Sequence, residues 1–224
     1  MRMRKSTLLG FLFSAFISFV ILQSCKNDSY LLTPPPVPDQ SFTEEFDTFQ
    51  NAYNRGWRFN NNSEPIGTED WANGGIGPYS GIGHLFISYL AGSGLATIST
   101  WAISPPVIFQ NGDKIIFYTI TVGTAFPDRL QLWINTKNDG VNVGTDARDV
   151  GDFTIKLLDI NPRYGNAIPD AYPDTWTRFE ATIGGILHPV RGRFAFRYYV
   201  EDGGPAGTNS NGIAIDSVAY VSKK

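Results

Sequence analysis

The chain has 224 residues, with 18 basic and 21 acidic side chains, a net charge of −3, and an aromatic complement of 16 Phe, 10 Tyr and 5 Trp. No cluster of Lys and Arg gives a basic surface, which argues against a nucleic-acid partner. The single cysteine leaves none for an internal disulfide, so a folded domain must rest on its apolar core, with a metal as the remaining staple.

Arg2, Arg4 and Lys5 precede an apolar run from Leu8 to Leu22 that only Gly10, Ser14 and Ser18 interrupt. This is the charged-then-apolar order of an export signal, and the run is short of the ~20 residues that cross a bilayer as a helix. It ends in Leu22-Gln23-Ser24-Cys25, which resembles a lipobox. Cleavage before Cys25 would free its thiol and amine for acylation, fixing the chain to a membrane. The alternative is an ordinary signal peptide or signal anchor with an incidental cysteine. Loss of Arg2, Arg4 and Lys5 takes the net charge from −3 to −6. Lys26, in place of an acid, favours the outer membrane, and Lys26-Asn27-Asp28 is similar to short signals that send lipoproteins to the cell surface.

Pro34, Pro35, Pro36 and Pro38 favour polyproline II across residues 26–40. Such a stalk reaches up to ~45 Å at ~3.1 Å per residue. The expected organisation is therefore a signal over 1–24, a lipidated cysteine and stalk over 25–40, and one domain over 41–224.

From Ser41 onward the pattern is strands and turns with almost no helical periodicity. Weaker strand patterns fit Phe42–Phe46, Leu85–Leu90, Ala96–Ile103 and Phe153–Leu158. Lys114–Val122 is apolar on both faces and reads as a central strand. Arg129–Asn135 alternates, with Leu130, Leu132 and Ile134 on one face and Gln131 and Trp133 on the other. Arg178–Ile183 alternates likewise. Arg193–Glu201 turns Phe194, Phe196, Tyr198 and Val200 inward and Arg197 and Tyr199 outward. Ile213–Val221 is a closing strand rich in β-branched residues. Loops rich in Gly, Asn, Asp and Pro separate these runs, at Asn60–Gly83, Lys137–Gly151, Asn161–Thr175 and Asp202–Gly212. The pattern predicts an all-β fold, an antiparallel β-sandwich of jelly-roll type.

Several short segments, in order, carry a family resemblance. They are Phe46-Asp47 with Gly56-Trp57; Trp101-Ala102-Ile103-Ser104-Pro105-Pro106; Asp128 to Trp133; Gly151-Asp152-Phe153-Thr154; Tyr172 to Thr177; Gly192 to Tyr198; Gly203-Gly204-Pro205; and Gly212 to Val218. Over residues 42–222 the chain resembles the choice-of-anchor J domains, relatives of the cleaved-adhesin and MAM-like sandwiches. The resemblance implies a jelly roll on surface proteins and no single activity. It also implies a structural Ca²⁺ tying the first strand to the last, with Asp47 and Asp216 in the ligand positions. Asp47 is shorter than the family's Glu, and Ser217 replaces a second Asp. In the competing reading Asp216 accepts a loop hydrogen bond and Asp47 is surface. The resemblance places Trp57, Trp101 and Trp176 in the core.

Gln131 and Trp133 share one outward face, and Arg197 and Tyr199 another. On neighbouring strands they would form a polar-aromatic platform, rimmed by Trp71 and Tyr79, on which a sugar can stack. The plainer reading is that a loop or a second layer covers Trp133 and that Arg197 is paired to an acid beneath it. Gly74–Gly83 lacks the Lys-Ser/Thr ending of a phosphate loop. His84 and His188 have no metal-ligand spacing, no Ser occupies a G-x-S-x-G elbow, and no paired-carboxylate string of a glycosidase is present. The expectation is a non-catalytic, membrane-anchored binding or adhesion module with a glycan as candidate ligand. The alternatives are a structural component docking onto another cell-envelope protein and, third, a hydrolase with an unrecognised site.

Overall fold

The computed structural model describes residues 36–74, 76–167 and 169–223, and a compact unit begins at Val37. Cys25, Pro34 and Pro35 lie outside the described residues. In chain order the elements are β1 (Phe42–Glu44), α1 (Phe49–Asn54), β2 (Arg58–Asn61), β3 (Glu64–Ile66), β4 (Ala72–Asn73), β5 (Leu85–Ser88), β6 (Gly92–Ile103), β7 (Val107–Phe109), β8 (Lys114–Thr121), β9 (Leu130–Asn135), β10 (Ile155–Ile160), β11 (Thr177–Thr182), β12 (Val190–Gly203) and β13 (Gly212–Val221). Among the described residues no helix is long and apolar enough to cross a membrane.

The strands form an antiparallel jelly-roll sandwich. One sheet runs β11-β8-β13-β5-β4, with β1 also on β13. The other runs β10-β9-β12-β6-β2, with β3 on β6 and β7 on β12. Alternation sets what lies between them. Ile115 and Phe117 of β8, Ile213 and Ile215 of β13, Leu130, Leu132 and Ile134 of β9, and Phe194, Phe196, Tyr198 and Val200 of β12 are all buried in one core. Phe117 meets Phe196 edge-on across the layers at 4.8 Å. Burial of each such side chain contributes roughly 1.5–3 kcal/mol. With no disulfide, this core and its hydrogen bonds hold the two sheets together.

The five strong strand patterns and the four weaker ones all appear, with ends shifted by a few residues. β2, β3, β4, β7 and α1 are additional. α1 is six residues long and buries only Ala52, which leaves little periodicity to read. The apolar run of β8 is central, between β11 and β13, yet its faces differ: Ile115, Phe117, Thr119 and Thr121 are buried, while Ile116, Tyr118 and Ile120 stay half-open.

The sandwich has two dissimilar ends. Residues 36–42 enter at one of them, where Gln40 N–H donates to Ser222 Oγ at 3.0 Å and Phe42 pairs with Tyr220. The other end gathers the segments 89–91, 122–129, 161–176 and 204–211, beside the start of β13 at Gly212.

Candidate functional site

The predicted platform lies on neighbouring strands: Arg197 of β12 pairs with Gln131 of β9, and Ala195 with Trp133. It is not open. The segment 136–154 crosses the outer face of the seven-stranded sheet and inserts Val143 and Phe153 into a second apolar cluster with Trp101, Ile103 and Ala195; Trp133 and Val150 pack at its margin. Gln131, Arg197 and Tyr199 are buried, and Trp133 is half-buried. Arg197 Nε donates to Ser99 Oγ at 3.0 Å and its Nη2 to the Ala147 carbonyl, while the guanidinium lies 4.8 Å from the Trp101 ring and 4.1 Å from that of Tyr199. Burial pulls Arg197 down to about 10. Trp133 Nε1 donates to Gln131 Oε1 at 2.9 Å, and Arg129 holds Asp159 through two 2.8 Å bonds. The plainer reading holds for the cover, and the open platform gives way to it; Arg197, however, meets Ser99 and the Ala147 carbonyl in place of an acid. Trp71, proposed as rim, is 2% exposed and belongs to the main core.

Tyr79 also leaves the predicted site and reaches the outer face of the other sheet. There Arg178 of β11, Tyr118 of β8 and Asp216 of β13 stand in one registered row. The Asp216 carboxylate is fully buried and accepts the N–H groups of Tyr79 at 2.8 Å and Ser80 at 3.0 Å through Oδ2, and that of Ser217 at 2.7 Å through Oδ1. Asp47 Oδ1 accepts the Ile82 N–H at 2.7 Å. On the far side Trp176 Nε1 donates to the Gly77 carbonyl at 3.3 Å. These bonds lay the Tyr79 ring parallel to Tyr118, centroids 3.7 Å apart, with Trp176 edge-on to Tyr79 at 6.1 Å. Tyr79 remains 45% exposed, and Tyr118 and Trp176 are half-buried. The result is an aromatic shelf open to solvent, with a cationic Arg178 alongside. Trp176, read as core, is part of this shelf. Tyr118 was missed because its strand was read as apolar on both faces; strict alternation from Lys114 would have turned it outward.

The two acids expected to hold Ca²⁺ thus fasten one loop. Among the described residues no group of three or more His, Cys, Asp or Glu side chains comes together in metal-binding geometry. Other oxygens lie near the loop, beside the N–H groups that already occupy the two carboxylates. Glu45 Oε2 takes the Ser217 hydroxyl at 2.5 Å, and the Phe46 and Asp47 carbonyls crowd Gly83. Burial, with Glu45 adding to it, pushes Asp216 up to about 6.

No protein-family model matches the chain, and no curated protein matches it. Solved structures do. The chain is similar in fold to cleaved adhesin domains. The K1 domain of Lys-gingipain from Porphyromonas gingivalis superposes with a TM-score of 0.54 at 21% identity, over 82% of this chain and 99% of that one. The K3 domain of the same protein gives 0.56 at 12% identity, over 83% and 100%. At these identities the likeness establishes the sandwich and nothing about a ligand.

Two concavities lie elsewhere on the described surface. The larger, about 850 Å³, opens between the unpaired edges of β10 and β11, with Leu158, Ile160 and Phe179 on its apolar side and Asn161, Arg163 and Asp174 on its polar side. The smaller, about 330 Å³, lies at the end remote from residues 36–42 and has Tyr89 and Phe126 in its walls.

Proposed function

We propose that this chain is a non-catalytic binding or adhesion module that presents aromatic side chains to glycans, and that it is a relative of the choice-of-anchor J domains. The observation that carries the reading is the solvent-open shelf of Tyr79, Tyr118 and Trp176 beside Arg178. Such rings stack on the C–H faces of sugars, and a guanidinium bonds their hydroxyls. Adhesin domains of this fold lend support. So does the separation of the two acids pushed up to about 6: Asp128 lies between the layers and Asp216 under the 79–83 loop, each with hydrogen bonds of its own. An acid–base pair for hydrolysis would need them together. The module is tethered to the outer membrane, at the cell surface, through acylated Cys25, and the 26–40 stalk holds it clear of the lipid. A Ca²⁺ ion held by Asp47 and Asp216 braces the shelf loop.

A glycan-array screen of residues 41–224, with and without Ca²⁺, tests the reading. Wild type is expected to retain a defined set of glycans, and Tyr79→Ala with Trp176→Ala to lose about tenfold in affinity, the worth of one good aromatic contact. Silence across the array, or binding indifferent to both substitutions, would sink it. Mass spectrometry of the mature N-terminus tests the anchor, with a diacylglyceryl-modified Cys25 as the expected result.

The second reading is docking onto another cell-envelope protein, favoured by the paired free edges of β10 and β11 around the 850 Å³ groove.

A further inference from the structure

We infer that the 330 Å³ cleft at the end of the sandwich remote from residues 36–42 is a second saccharide subsite, built for one or two uncharged pyranose units between Tyr89 and Phe126. This inference rests on the glycan-binding reading and places a site where that reading has none.

The chemistry of the walls selects the ligand. Tyr89 and Phe126 are 38% and 46% exposed, although side chains of their size are ordinarily covered, and they come from segments 37 residues apart in sequence that both line this cleft. Between them stand the Asn211 amide, Pro205 and the bare backbone of Gly204 and Gly207, with Ser210, whose buried hydroxyl accepts the Gly204 N–H at 3.0 Å. Among the described residues no charged side chain lines the cleft, so none of them would offset the desolvation of a uronate, a sulfate or a charged peptide. Aromatic faces with a side-chain amide and main-chain groups suit the alternating C–H and O–H surfaces of a neutral sugar ring. The volume is at the small end of ligand sites, which matches a mono- or disaccharide.

The cleft is also preorganised, and both aromatic walls are tied to the same short segment. Tyr89 N–H donates to the Asn211 carbonyl at 3.3 Å, and Ser210 N–H donates to the Pro127 carbonyl, next to Phe126, at 2.9 Å. Asn211 N–H and Gly212 N–H donate in turn to Asp128 Oδ1 at 2.9 and 3.1 Å, which roots that segment in the interior. Gly207 is required by the fold: a Cβ there would fall 2.2 Å from the Asp202 carbonyl. Its second effect is to leave main-chain groups uncovered on the cleft wall. A rigid site loses less entropy on binding than one that must assemble.

The test is isothermal titration of the full chain with neutral hexasaccharides of glucose, xylose and mannose, with hexagalacturonate as the charged counterpart and hexaproline as the peptide competitor. At least one neutral hexasaccharide is expected to bind. Phe126→Ala and Tyr89→Ala should each weaken it about tenfold or more, Tyr89→Phe should retain it, and Trp176→Ala should leave this binding in place. Unchanged melting curves keep any loss from being one of folding. Three results overturn the cleft: neutral binding lost in Trp176→Ala and intact in both cleft variants, which spares the shelf; tighter binding of hexagalacturonate or hexaproline at the cleft; or no saccharide bound at all, which removes the glycan-binding reading as well.

Discussion

Asp128 shows how one side chain organises the remote end of the molecule. Its carboxylate accepts the Tyr198 hydroxyl and the Asn211 and Gly212 N–H groups, and it meets Thr121 Oγ1 at 2.6 Å. Thr121 has one hydroxyl proton and faces two further acceptors, the carbonyls of Gly123 at 2.6 Å and Gly212 at 3.2 Å. A proton on Asp128 resolves that count, because the acid can then donate to Thr121 while Thr121 donates to Gly123. Burial pushes Asp128 up from 3.8 to about 6, against the opposing effect of its hydrogen bonds. The folded chain therefore holds a proton that the unfolded chain has released across this window. Stability contributed by this group falls as the pH rises from about 4 to about 6, and about 1.4 kcal/mol of that fall lies between pH 5 and 7.5. Asp128→Asn, which keeps the shape and a donor toward Thr121, is expected to remove that increment from urea-unfolding free energies measured at the two pH values. An identical pH dependence in the variant would contradict the assignment. Asp128→Ala should cost about 3 kcal/mol or more, since Tyr198, Asn211 and Gly212 lose their acceptor and Thr121 loses its partner.

At the scale of elements, the cover formed by 136–154 decides which faces are surface. It is held by Phe153 and Val143 packed on Trp101, by the Arg197 bond to the Ala147 carbonyl, and by Asn62 Nδ2 donating to the Gly144 carbonyl at 2.9 Å. Phe153→Ala is expected to cost about 3–4 kcal/mol by cavity formation. It should also loosen the cover enough for limited proteolysis to cut within 137–151; resistance equal to wild type would show that the cover does not depend on that ring. This element also marks where sequence reading stops. Alternation along β9 and β12 correctly sends Gln131, Trp133, Arg197 and Tyr199 to the outer face, because strand geometry is local. Whether that face meets water depends on a Gly- and Asn-rich segment whose apolar residues, Val143, Val150 and Phe153, are too scattered for any period to reveal. Tyr79 is similar. Nothing in its glycine-rich surroundings points to Tyr118, because the bond that lays it there comes from Asp216, 137 residues later in the chain. The two sheets and their core were legible because hydrophobic burial writes a period of two into each strand. The shelf and the cleft were not, because contacts between loops leave no period.

At the scale of the whole molecule, the first and last strands close the fold, and the proposed Ca²⁺ would sit at that closure. Ca²⁺ that binds only the folded chain stabilises it by RT ln(1 + [L]/Kd), about 2.7 kcal/mol at a hundredfold excess over Kd. For a domain of this size that is a rise of roughly 5–10 °C in Tm. The expected result is such a rise when Ca²⁺ is restored to chelator-treated protein, and its loss in Asp47→Asn; a Tm indifferent to Ca²⁺ would remove the ion from the account.

The same closure has a mechanical side. β1 enters beside Tyr220 and runs along β13 toward Val218, and its register is fixed by three pairs, the Gln40–Ser222 and Ser41–Ser222 bonds, and the buried Glu44 carboxylate gripped by Arg55. Hydrogen bonds in an antiparallel pair lie across the strands. A load applied at residue 37 and resisted at the remote cleft would pull β1 along its own axis. All of these bonds would then bear the load in shear at the same moment, instead of parting one after another as in an opening zip. Under the proposed tether at this end, traction would load the closure in that shear direction.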